Sequence, residues 1–486
     1  VVLTWALLSV VTNAPYLRAA LDPPPGRVFA GTFHWVDDFY NYLSFVRQAE
    51  EGRFVFSNRL QLKPHQPALV NLEWWAVGRV SAALGRRPLL AFRLLGLVAS
   101  LVLLLGIQRW LRRGGLPDAH QLPALLLITT GGGLGGLLFL YTNLTIDRCL
   151  DLSVGLFPFL ALLANPHWVA AMALLVLALG AYDDAAARGR LPLLGTVAAT
   201  VLGLVRPYDL VVLVAAWILT VLARIPGRAS SPRRRVGRAL AGLLPLAALV
   251  PVVLYNYWVF YQSVGFRSYA RLPYTFPRVL DFLPALAPAA ALASLALRDA
   301  GRDPAGARVP LAAWSACCFS LILLQPTRYS LQFLVGMGVP LLMLAALGLS
   351  RFRPAVTWLA TVVLASTSFV AVQNTWRVEP YWFPPRAEVE AAHTLGSWCR
   401  PGDRLLAPPR IGLLAVGLSD CSPFIAHPSL PEYTNRMGEL STFYREPPAL
   451  RTEFLERHQI SFVVLPGDPG VTPSRWLGDG TRFRRL

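Results

Sequence analysis

Lysine is all but missing from this chain. Of 45 basic residues, Lys63 is the single lysine and the rest are arginine. Acids are scarce too, 27 against those 45, which leaves a formal net charge of +18. Charged residues of every kind make up 15% of the 486 residues, while 55% are hydrophobic and the mean hydropathy is +0.47. That balance excludes a soluble enzyme and requires an integral membrane protein. A large positive charge would suit nucleic acid, but the arginines cluster in short loops between apolar runs, where the positive-inside rule puts them. Membrane lipids are the expected partners, and nucleic acid is not. Richness in Arg, Ala, Gly and Pro suggests a GC-rich bacterial genome and hence a bacterial inner membrane.

Five cysteines are too few for a disulfide framework. Cys149, Cys317 and Cys318 read as small apolar fillers. Cys399 and Cys421 share one C-terminal polar region and are expected to pair if that region lies outside the cytoplasm. No metal motif of recognised spacing occurs, so a divalent cation (Mg or Mn) is expected only as an open option. No cleavable signal peptide is visible. The chain opens inside an apolar run, Val1 to Val11, as expected if the true N-terminus lies upstream.

At about 20 apolar residues per crossing, allowing shorter ones, the pattern predicts about eleven spans: 1–19, 89–110, 121–141, 167–182, 191–205, 207–224, 240–261, 277–297, 309–324, 332–349 and 355–373. Arginine then sets the orientation. Arg109, Arg112 and Arg113 follow the second span, and Arg188 and Arg190 the fourth. Arg224, Arg228, Arg233, Arg234, Arg235 and Arg238 follow the sixth, Arg298, Arg302 and Arg308 the eighth, and Arg351 and Arg353 the tenth. All five loops fall on one side, which should be the cytoplasm. The N-terminus is then cytoplasmic, and the first loop (20–88) and the region from 374 are extracytoplasmic.

The first loop opens with His34-Trp35-Val36-Asp37-Asp38-Phe39-Tyr40-Asn41-Tyr42. Two adjacent carboxylates beside a membrane are costly to place without a purpose. A carboxylate here can serve as general base on an acceptor hydroxyl, or hold a metal that grips a phosphate. The plainer reading is a cap on the helix that runs to about Gly52, but a cap needs one Asp and leaves the other unexplained. Residues 67–84 read as an interfacial amphipathic helix, with Trp74 and Trp75 in the headgroup layer. The apolar run 153–164 reads as a second interfacial or re-entrant helix.

Other polar groups gather at outer span ends. Arg206 and Arg328 stand where positive-inside does not explain them, each followed closely by a tyrosine, Tyr208 or Tyr329. They suit a phosphate through the arginine fork; the alternatives are snorkelling, pairing with Asp209 and membership of the aromatic belt. His167 opens a span after Asn165-Pro166 and could contact phosphate, join His34 and the Asp pair around an ion, or simply start the helix. Asp147 and Asp151 are spaced i, i+4 on one helix face.

From about 385 the apolar runs shorten and charges of both signs appear. Arg404–Ala407, Ile411–Val416 and Ile460–Leu465 predict strands, and 386–399 and 447–458 predict helices. The expected organisation is a transmembrane domain over 1–373 and a small extracytoplasmic α/β domain over 374–486. That domain carries no phosphate-binding glycine loop.

In the order of its parts the chain resembles the GT-C-fold glycosyltransferases, the class of the protein O-mannosyltransferases and the lipid A aminoarabinose transferase. The likeness rests on an acidic pair early in a long first outside loop (Asp37-Asp38), then Tyr42, then Glu50-Glu51-Gly52. A His/Pro stretch follows, Lys63-Pro64-His65-Gln66-Pro67, and short spans and a C-terminal outside domain complete it. Members typically carry Asp-Glu followed by Tyr; here the Tyr spacing matches Asp38, with Phe39 in place of the second acid. The resemblance implies an α-helical polytopic membrane enzyme that transfers a sugar, with inversion, from a polyprenyl-phosphate donor to a lipid, glycan or protein acceptor. Asp38 is its expected base, with Asp37 second. Tyr42, His34, His65, His167 and Asp147 are further site candidates. A polyprenyl-glycan flippase would want charges in mid-span, of which few are seen, and a non-catalytic scaffold would have lost the acid pair.

Overall fold

The computed structural model describes residues 1–142, 148–153, 155–225, 232–271, 276–298, 306–327, 330–428, 430 and 432–465. Backbone in hydrocarbon must satisfy its own hydrogen bonds, so long apolar runs fold as helix. Each of the eleven predicted spans contains helix. Among the described residues, five helices are long and apolar enough to cross a bilayer: Pro88–Arg113, Pro166–Arg188, Leu280–Arg298, Ser330–Leu349 and Pro354–Asn374. Two bent pairs could raise that number to seven: Asp118–Thr130 with Gly135–Tyr141, bent by 57°, and Val236–Ala247 with Val250–Gln262, bent by 50°. Leu193–Val205, Pro207–Ala223 and Arg308–Leu324 are shorter apolar helices. The chain is a multi-pass membrane protein.

Two compact units divide the chain. The first comprises Val1–Ala19, Phe92–Tyr257 and Tyr274–Arg377. Several charges on its helices are held in pairs, a form in which they are tolerated there. Asp183 is fully buried and bridges Arg113 and Arg224; Arg206 pairs with Asp209, and Arg148 with Asp281 at 3.3 Å. The apolar run expected at an interface yields the helix Pro158–Ala164, buried along its whole length.

The second unit comprises Ala20–Ala91, Trp258–Pro273 and Val378–Leu486. Its sheet is parallel and three-stranded, in the order β2-β1-β3, with β1 Arg404–Leu406, β2 Ser422–Pro423 and β3 Phe462–Val463. The strand predicted over Ile411–Val416 is instead the helix Pro409–Leu418. Its continuous apolar run fits a buried strand or a buried helix equally. Pro409 at the first turn, where its missing N–H costs nothing, decides for helix. This helix packs on both Val36–Glu50 and Arg386–Trp398. Gly417 permits the approach, since a Cβ there would meet the Tyr40 ring at 2.8 Å. The expected bond between Cys399 and Cys421 is present, with Cα atoms 5.3 Å apart.

In the first loop, the helix expected over 67–84 starts only at Leu72, where the Asn71 side chain accepts from the backbone N–H groups of Glu73 and Trp74. Trp74, expected in the headgroup layer, is buried and stacks on Tyr42 with centroids 4.5 Å apart. The cause is Gly78, whose missing Cβ lets this helix press onto Ala49 of the acid-pair helix.

Candidate active site

The acid pair lies in the first turn of the helix Val36–Glu50. Neither Asp caps it. The cap position belongs to Trp35, in the left-handed region at φ 48°, and no side chain caps the helix end. Such a backbone costs an aromatic residue about 1–3 kcal/mol. Both carboxylates lie in the first turn, where acids complement the positive end of a helix.

The second unit brings three groups from elsewhere in the sequence to this turn. His427, just beyond β2, places Nε2 3.1 Å from Oδ1 of Asp38. Its strand is held in register by Phe424 donating to the Leu405 carbonyl. Tyr381 reaches Asp37, whose backbone N–H donates to the tyrosine oxygen at 3.3 Å. Tyr381 is delivered by residues 382–384, whose carbonyls accept from Val28 and Ala30 in the segment leading to the pair. Tyr269 accepts from the Asn41 amide at 2.8 Å. Asp37 lines a cavity of about 240 Å³ whose walls include Tyr381, Arg410 and Tyr433. Arg410 is itself held by both carboxylate oxygens of Glu388.

Burial sets the electrostatics. It pushes the Asp37 carboxyl up; the hydrogen bond from Tyr381 and the charge of His427 work against it, and the charge of Asp38 adds to it. Burial alone would lower His427, but the hydrogen bond to Asp38 and the charges of Asp38 and Asp37 outweigh it, and its pKa rises. Burial and the charge of Asp38 raise Tyr269, partly offset by Asn41, while burial and Asp37 raise Tyr381, so both stay neutral phenols.

The remaining sequence candidates are spread more widely. His34 packs between Trp35 and Trp382, its Nε2 is enclosed without a hydrogen-bond partner, and burial pushes its pKa down to about 4. It is a neutral ring beside the pair. His65 accepts from the Asn58 N–H at 3.2 Å and contacts the Lys63 carbonyl at 2.8 Å, so both ring nitrogens serve the loop's own backbone. Tyr42 is stacked on Trp74. In the first unit, His167 is buried at the start of Pro166–Arg188. Arg206 is not the isolated cation that its position suggested: its guanidinium is buried, paired with Asp209 and donating to Gln332. Tyr208 packs edge-on against Phe333. Asp147, Arg328 and Tyr329 lie outside the described residues. Among the described residues no three His, Cys, Asp or Glu side chains converge to hold a metal ion.

Sequence reasoning missed His427, Tyr381, Tyr269 and Asn41. Only Asn41, three residues after Asp38 on the same helix face, carried a local signal.

No family model matches the sequence, and no curated protein does. Among solved structures, the chain is similar to an oligosaccharyltransferase from Archaeoglobus fulgidus, tethered through a disulfide to an acceptor peptide containing the NVT sequon. The TM-score is 0.53 at 12% identity, over 95% of this chain and 68% of that one. At that identity the likeness is one of fold, and it agrees with the resemblance read from the order of parts: this chain has the GT-C polytopic membrane fold.

Proposed function

We propose that the protein is an inverting membrane glycosyltransferase that moves a sugar from a polyprenyl-phosphate-linked donor to a hydroxyl of a lipid, glycan or protein acceptor. The observation that carries this reading is the acid pair. Two carboxylates stand side by side in an uncapped first turn, Asp38 held by His427 and Asp37 by Tyr381, in a chain with the GT-C fold.

Asp38 withdraws the acceptor's proton as its oxygen attacks the anomeric carbon. The new bond forms there while the bond from that carbon to the phosphate oxygen breaks, and polyprenyl phosphate leaves with the electron pair. His427 orients Asp38. Asp37, made more basic by burial and facing the cavity, is the second candidate for the same step.

The reaction is placed on the extracytoplasmic face. One-sided arginine loops support that placement, as does a disulfide in the same unit as the acid pair, a bond that persists in oxidising compartments.

The test is single-turnover transfer from a panel of polyprenyl-phosphate sugars by wild type, Asp37→Asn and Asp38→Asn. Asn keeps the shape but cannot take the proton, so the base variant should lose about 10²- to 10⁴-fold in rate while remaining folded. Near-wild-type rates in both variants would remove the catalytic reading.

A further inference from the structure

A cavity of about 430 Å³ opens in the first unit where the C-terminal ends of Pro88–Arg113 and Pro166–Arg188 meet the turn into Leu193–Val205. Its two halves differ in chemistry. Arg109, Arg113, Arg188 and Arg190 contribute four guanidiniums against one lining carboxylate, Asp184. Asp184 is already shared by Arg109 and Arg113, with Arg188 at 3.9 Å. Asp183, just behind it, is taken by Arg113 and Arg224. Among the described residues no acid pairs with the Arg190 side chain. The positive-inside rule and the helix C-termini account for arginines on this side; neither accounts for the apolar surface open beside them.

The other half is apolar and open. Gly180 leaves space beside Trp110, and Leu191, Leu193 and Leu194 at the edge are 65% exposed or more. Gly180 lies eight residues, about 12 Å along the helix, from Arg188, so the apolar surface extends away from Arg188 and Arg190. Cationic rim and apolar surface together match a single amphiphile, with a phosphate at one end and an alkyl chain at the other.

We infer that this cleft is a binding site for an anionic phospholipid, its phosphodiester at Arg188 and Arg190 and its acyl chain along Gly180 and the exposed Leu191, Leu193 and Leu194. Basic pockets between transmembrane helices bind anionic headgroups in this way. The inference is independent of the catalytic reading, because none of these residues belongs to the unit that holds the acid pair.

The purified full chain in nanodiscs of mixed phosphatidylglycerol and phosphatidylcholine, followed by native mass spectrometry, tests it. Wild type should retain phosphatidylglycerol selectively. The double variant Arg188→Gln/Arg190→Gln should lose about 25-fold in that preference, since each arginine near a membrane surface contributes about 1 kcal/mol, or about fivefold. Gly180→Leu keeps all four arginines and fills the space beside Trp110, and should also release the lipid. A Cβ at Gly180 meets Trp110 at an ordinary 3.4 Å, and an unchanged thermal melt of the variant checks that the helices stay packed. Equal retention of the two lipids by wild type overturns the inference. So does displacement of phosphatidylglycerol by inorganic phosphate with no effect of Gly180→Leu, which would leave a site for free phosphate.

Discussion

The imidazole of His427 meets the carboxylate of Asp38 at 3.1 Å across 389 residues of sequence. The contact ties the C-terminal segment to the first loop at the point where the chemistry is proposed, and it makes part of the stability of the second unit depend on protonation.

His427 binds its proton more tightly in the folded unit than in the unfolded chain, where its pKa is 6.5. The stabilisation from the Asp38 contact is therefore complete below pH 6.5 and is lost as pH rises through the raised folded value. The gap in Tm between wild type and His427→Gln should be widest below pH 6.5 and narrow as pH rises above it. A gap independent of pH would show that His427 acts only by packing.

His34 has the opposite sign. Its folded pKa, about 4, lies below the unfolded 6.5, so protons favour the unfolded chain. Stability falls as pH drops from 6.5 to about 4, by up to roughly 3 kcal/mol. His34→Phe, which keeps an aromatic between Trp35 and Trp382, should flatten that acid limb in a pH series of thermal melts. An unchanged limb would mean that His34 reaches water in solution.

The Cys399–Cys421 bond closes a 22-residue separation within the C-terminal core. Loop closure of that length stabilises by about 3 kcal/mol. Cys399→Ala/Cys421→Ala should lower the denaturant midpoint of the second unit, and reductant should do the same to wild type and nothing to the variant. Identical midpoints throughout would deny the bond a role in stability.

Orientation is tested by site-directed labelling in intact cells. A cysteine replacing exposed Glu456 should react with an impermeant thiol reagent, and one replacing exposed Arg353 should react only after permeabilisation. The reverse pattern would invert the topology and move the proposed reaction to the cytoplasmic side.

Sequence alone determined what depends on local pattern. Every predicted span contains helix, because hydropathy over some 20 residues and the demand for internal hydrogen bonding act along a single segment. The same locality made the acid pair visible, together with the helices Arg386–Trp398 and Pro448–Arg457 and the strands β1 and β3. Where one pattern served two structures, as in Ile411–Val416, the proline turn and its neighbours chose the helix. The helix Tyr433–Arg445 was missed because its polar face dilutes the apolar period. Tertiary structure alone decided the company of the acid pair. His427 and Tyr381 reach it through β-strand register and a pairing of 27–30 with 382–385, and Arg206 is withdrawn by Asp209. Contacts across hundreds of residues leave no spacing to read, since it is folding that sets which groups become neighbours.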